Sequence, residues 1–86
     1  MRVIYTKEAL KFLSKLDEYS VARIRNAIEG LKKKPPEGDI KRMQGFKDNR
    51  MRLRVGKWRV IFRTEIDDFV EVLYIIDIGN RGDIYK

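Results

Sequence analysis

Apolar and polar positions follow two different periods along this chain, and the change from one to the other divides it. Val3, Ile4 and Tyr5 give a short strand signal. Thr6 is placed to cap a helix by accepting a bond from a first-turn amide, with Glu8 near the positive end of the dipole. Ala9, Phe12, Leu13 and Leu16 then recur at helical spacing. Asp17 to Tyr19 reads as a break with Ser20 as a second cap, and Val21, Ile24, Ala27, Ile28 and Leu31 form the next stripe. Lys32 to Lys34 suit the negative end of that helix, and Pro35-Pro36 stop it.

From Arg50 onward the period is two. Met51, Leu53 and Val55 alternate with arginines, and after Gly56-Lys57 the alternation resumes with Trp58, Val60 and Phe62. Glycine followed by any residue suits a two-residue type II′ hairpin turn, so Val55 and Trp58 should flank it. Phe69 to Ile78 is apolar at nearly every position and predicts a central strand, and 79–83 predicts a turn. These elements predict an α+β fold, an N-terminal helical hairpin packed on one face of a small antiparallel β-sheet. With no linker beyond the short Pro35 to Asp39 connection, residues 1–86 read as a single domain.

Composition narrows the chemistry. The chain has no cysteine and no histidine, which excludes disulfides and ordinary zinc or transition-metal sites, so no cofactor is expected. Its longest apolar run, Val72 to Ile76, is too short to cross a bilayer. A cytoplasmic protein with no membrane partner is the expectation. Net charge is +7, but it is unevenly placed. Between Lys41 and Arg63 lie nine cations and one anion, Asp48. A block of that kind points to a polyanionic partner.

The hairpin register concentrates this charge. If Val55 faces Trp58, then Leu53 faces Val60 and Met51 faces Phe62 on the apolar side. On the other side Arg54 faces Arg59, Arg52 faces Ile61 and Arg50 faces Arg63. Like charges opposed across a ladder cost up to roughly 1 kcal/mol per pair. Such a face makes sense if an anion sits among the guanidinium groups, whose planar forks suit phosphate. A solvated arginine-rich face is the plain alternative, and Trp58 is read as core by its parity.

Two segments carry a resemblance, Arg52-Leu53-Arg54-Val55-Gly56-Lys57-Trp58-Arg59-Val60-Ile61-Phe62 and Ile78-Gly79-Asn80-Arg81-Gly82-Asp83-Ile84-Tyr85. Together they resemble the central hairpin and C-terminal signature of the RelE/ParE toxin superfamily, and the preceding helices fit as well. The RelE branch implied by the resemblance cleaves messenger RNA on the ribosome, leaving a 2′,3′-cyclic phosphate and a 5′-hydroxyl. By similarity Arg59 and Arg81 would clamp the scissile phosphate, Arg52 and Arg54 would join them, and Tyr85 would stack on or orient the nucleotide. Lys47, Arg50, Lys57 and Arg63 would hold the rest of the RNA. Where many relatives carry histidine this chain has Asn80, and arginine is too basic to act as a conventional base. Lys47, Lys57 and Tyr85 stay open as proton carriers.

The resemblance also implies an acidic RelB-like antitoxin as partner, besides the ribosome and messenger RNA. Two other functions remain at this point. A ParE-like inhibitor of DNA gyrase would share the fold but lacks the catalytic Arg and Tyr set, so the presence of Arg59, Arg81 and Tyr85 counts against it. A non-catalytic RNA- or ribosome-binding module would need only the basic face.

Overall fold

A computed structural model of the chain describes residues 1–80. Its elements run β1 (Arg2–Tyr5), α1 (Lys7–Leu13), α2 (Glu18–Gly30), β2 (Asp39–Arg42), β3 (Met51–Val55), β4 (Trp58–Asp67) and β5 (Val70–Asn80). The strands form one sheet in the order β1-β5-β4-β3-β2. The expected α+β arrangement of two helices on a small sheet is what forms. Within it β1 runs parallel to β5, Arg2 to Tyr5 pairing with Val72 to Ile75, while the other neighbours are antiparallel. The sheet is therefore mixed. A helical crossover between β1 and the later strands is what permits that parallel pair.

Local signals account for both helix starts. Thr6 has extended backbone and its hydroxyl oxygen accepts from the Ala9 amide at 3.2 Å. The same hydroxyl donates to the Ile76 carbonyl at 2.6 Å, tying the start of α1 to β5. The second cap is Asp17 rather than Ser20. Its carboxylate accepts the Ser20 amide at 3.2 Å and the Ser20 hydroxyl at 2.6 Å, so Ser20 lies inside the first turn. Those bonds hold the Asp17 carboxyl below its ordinary range. α2 closes at Gly30, so Lys32 to Lys34 lie beyond it; Lys32 and Lys33 pair with Glu29 and Glu37.

The helical stripes meet the inner face of the sheet. Ala9, Leu13, Ile24, Ile28 and Leu31 pack with Leu53, Val55, Trp58, Val60, Phe62, Leu73, Ile75 and Ile78 in one buried cluster. Trp58 is thus core, with the Arg23 guanidinium 5.7 Å from its ring centre. Gly56 has φ of 57° at the β3–β4 turn, and Lys57 does not share the positive φ, as a type II′ turn requires.

Two boundaries differ from expectation. Phe69 belongs to a turn, not to the strand: Asp68 and Phe69 both have positive φ (49° and 66°), and Phe69 is fully exposed. β5 then continues through Gly79 and Asn80, which pair with Arg59 and Trp58, so the turn expected at 79 does not begin there. Among the described residues, no helix is long and apolar enough to cross a membrane.

Candidate phosphate-binding face

β3 and β4 pair in the register read from the sequence, with Val55 opposite Trp58, Arg54 opposite Arg59 and Arg52 opposite Ile61. Period two therefore turns Arg52, Arg54, Arg59 and Arg63 away from the helices, onto one outer face. Arg54 and Arg59 are directly opposed, an arrangement that costs folding stability. On the far side of β4, Arg59 meets Gly79, which brings no side chain against it. Arg54, Arg59 and Arg63 are half-buried.

Arg52 departs from expectation. It is only 6% exposed, not a solvent-facing strand residue. Among the described residues it pairs with Asp39 on β2, with Nη2 at 3.7 Å from Oδ1, and Arg54 Nε stands 3.9 Å from the other oxygen. Nε of Arg52 and Nε of Arg54 are buried without a hydrogen-bond partner among the described residues. A buried cation met by one distant and largely exposed carboxylate is poorly compensated. Arg52→Met, which keeps the volume and removes the charge, is expected to raise stability by about 1 kcal/mol while weakening binding of polyanions. Thermal unfolding and a heparin titration read the two effects; a destabilised variant with unchanged affinity would make Arg52 a structural residue.

Asp39 and the strand that carries it were not legible in the sequence. β2 contains a single apolar residue, Ile40, which pairs with Leu53. One apolar position makes no alternation. The carboxylate nonetheless supplies part of the counter-charge that a row of arginines needs in order to fold.

Asp48 supplies more of it. It accepts from Arg50 Nε at 2.9 Å and Nη2 at 2.8 Å, and its Oδ2 lies 4.0 Å from Arg63 Nε. These bonds hold its carboxyl down at about 2 and push the Arg50 guanidinium upward. The expected Arg50–Arg63 opposition thus becomes a carboxylate shared between two cations. Arg63 also pairs with Glu65. The Arg50 guanidinium sits over Phe46, 4.3 Å from its ring centre, in the loop joining β2 to β3.

Not every expected RNA contact joins this face. The Lys57 ammonium lies 5.3 Å from the centre of the Trp58 ring, at the hairpin end and toward the core residue. Lys47 is exposed in the 43–50 loop. Arg81 and Tyr85, expected to complete the site, lie outside the described residues. Among the described residues, no group of acidic side chains is arranged to hold a metal ion.

The comparisons with known proteins agree with this architecture. A profile of the ParE toxin of type II toxin–antitoxin systems, parDE, matches residues 3–85. Among curated proteins, no match was found. A chain of the archaeal RelE–RelB complex from Pyrococcus horikoshii OT3 is 27% identical, with a TM-score of 0.71, and the match covers 95% of this chain and 96% of that one. The YoeB/ParE toxin from Agrobacterium tumefaciens shares the fold at a TM-score of 0.78 with 18% identity, over 94% and 99% of the two chains. A chain of the RelB–RelE antitoxin–toxin complex from Methanococcus jannaschii does so at 0.66 with 22% identity, over 95% and 94%. A profile match over nearly the whole length and a shared fold lead to one assignment: the chain belongs to the ParE toxin family of type II toxin–antitoxin systems, within the RelE/ParE superfamily.

Proposed function

We propose that this toxin is a metal-independent endoribonuclease that cleaves messenger RNA on the ribosome, and that an acidic RelB-like antitoxin silences it in the cytoplasm. The observation that carries the reading is the outer sheet face. Arg52, Arg54, Arg59 and Arg63 converge there, with Arg54 directly opposite Arg59 and Arg52 buried. A fold gains nothing from that arrangement by itself, whereas a phosphate between the opposed guanidinium groups removes the repulsion and receives paired donors.

The chemistry follows from the charge. The 2′-oxygen of one nucleotide attacks its own 3′-phosphorus while the 5′-oxygen of the next nucleotide leaves, giving a 2′,3′-cyclic phosphate and a 5′-hydroxyl. The phosphorane carries one more negative charge than the diester, and arginines fixed on a rigid sheet stabilise it with little reorganisation. Arg59 and Arg81 are assigned to that phosphate, Arg52 and Arg54 to its flank, and Tyr85 to the nucleotide. The 2′-hydroxyl proton must go to a base and the leaving oxygen must receive one. Lys47 and Tyr85 remain the candidates, Lys57 being drawn toward Trp58.

A partner of opposite charge follows from the same face. The P. horikoshii and M. jannaschii chains were both solved as RelE–RelB complexes. An acidic antitoxin would complement the arginine row. A second reading, inhibition of DNA gyrase, is favoured by one specific observation, the match to the ParE profile.

Primer extension on translated message decides between them. Discrete new 5′ ends within the ribosomal A site, absent without the toxin, are expected, together with RNA affinity that falls steeply between about 50 and 200 mM salt. Intact message accompanied by gyrase-dependent DNA cleavage would overturn the ribonuclease reading.

A further inference from the structure

A cleft of about 300 Å³ opens on the same outer face, beside the arginines. It is lined by Ile61 and Ile76 of the sheet, by Met43, Phe46 and Arg50 of the 43–50 loop, and by Thr6, Glu8 and Asp77. Ile61 explains its place. That residue sits on the arginine side of β4, between Arg52 on one neighbouring strand and Asp77 on the other, yet is only 2% exposed. A register shift between Ile61 and Phe62 puts Ile76 opposite neither of them, so both Ile76 and Asp77 border the cleft. An apolar floor thus lies within the basic face, with Arg59 and Arg63 each two residues from Ile61 along the same strand.

Resting on the ribonuclease reading, we propose that this cleft receives one nucleobase of the bound RNA, stacked on Phe46, and favours bases with an exocyclic amino group over uracil. Phe46 is 47% exposed although the Arg50 guanidinium already covers one side of its ring at 4.3 Å. Arg50 is fixed in turn by its two bonds to Asp48. The result is a ring braced from one side with surface left for a second planar partner. Aromatic platforms of this kind bind single-stranded nucleic acid by stacking.

Charge sorts the two ends of the nucleotide. The cleft wall carries carboxylates, Glu8 and Asp77, which repel phosphate; the arginines that attract it lie outside. Base therefore goes in and phosphate stays on the arginine row. Asp77 Oδ1 accepts the Ile78 amide at 2.9 Å, which holds the carboxyl in place and leaves the second oxygen to accept. Adenine, cytosine and guanine each offer an amino N–H to it. Uracil presents two carbonyl oxygens around a single N–H, and those oxygens would face a negative group.

The test uses fluorescein-labelled 2′-O-methyl RNA tetramers, whose blocked nucleophile prevents cleavage, titrated with the whole chain. Homo-adenosine and homo-cytidine tetramers should bind more tightly than homo-uridine. Phe46→Ala should weaken the first two by about tenfold with an unchanged salt slope, and Phe46→Tyr should restore them. Asp77→Asn, whose amide can face either kind of edge, should erase the preference against uridine. Steeply salt-dependent binding that ignores both the base and Phe46 would overturn the base cleft alone and leave the ribonuclease reading standing. Absence of any RNA binding by the folded protein would overturn both.

Discussion

On the proposed ribonuclease reading, Arg59→Ala will slow cleavage of translated message by roughly 100-fold or more, in single-turnover primer extension, while the thermal midpoint moves by only a few degrees. The two halves of that expectation have separate causes. Arg59 is a half-buried polar side chain set against Arg54 across the ladder, so truncation removes a like-charge opposition and leaves no apolar void. The developing charge on the phosphorane, by contrast, loses a fixed donor, and one such donor is worth about two to three powers of ten in rate. Arg81→Ala should behave alike if it grips the same phosphate. Cleavage at the wild-type rate in Arg59→Ala would remove the arginine row from the chemistry. Parallel loss of activity and of the folded state would show that the residue serves the fold instead.

Leu73→Ala will act in the opposite sense, through stability. Leu73 has no exposed surface and lies in β5, between β1 and β4, in contact with the helical stripes. Deleting its branched end leaves a cavity that rigid strands on both sides cannot fill, at a cost of about 2–5 kcal/mol. For a domain of this size that lowers the melting midpoint by roughly 10 °C or more. Calorimetry reads the shift directly, and Ile66→Ala on the exposed β4–β5 hairpin serves as the comparison with little change expected. Near-equal midpoints for the two variants would contradict the assigned core.

Much of this was legible from residue order because a single rule, period two against period 3.6, acts on neighbours. The Gly56-Lys57 turn set the register, and the register put Arg52, Arg54, Arg59 and Arg63 on one face. Thr6 was legible as a cap for the same local reason. Features decided by distant chain were not. Asp17 rather than Ser20 caps α2, since both residue types satisfy the same amides and only the entry path chooses. β2 has too few apolar positions to announce itself, so Asp39 and the burial of Arg52 went unseen. The sequence placed Ile61 on the arginine side without its burial, since nothing local shows that the 43–50 loop lies against it. The irregularity beside Ile76 lies in an unbroken apolar run, which conceals any change of face.

The bond between the Thr6 hydroxyl and the Ile76 carbonyl spans 70 positions of sequence, and the parallel ladder from Arg2 to Tyr5 closes a loop of similar size. Nothing made earlier can substitute, since the partners of β1 lie at 72–75. During synthesis the first strand and the cap of α1 must therefore wait while nearly the whole chain leaves the ribosome. Helices and the β3–β4 hairpin can assemble first, because their contacts are local. The arginine row acquires a rigid backing only when β5 inserts between β1 and β4. The sheet that carries the arginines is thus incomplete for most of the chain's own translation, until β5 has been made.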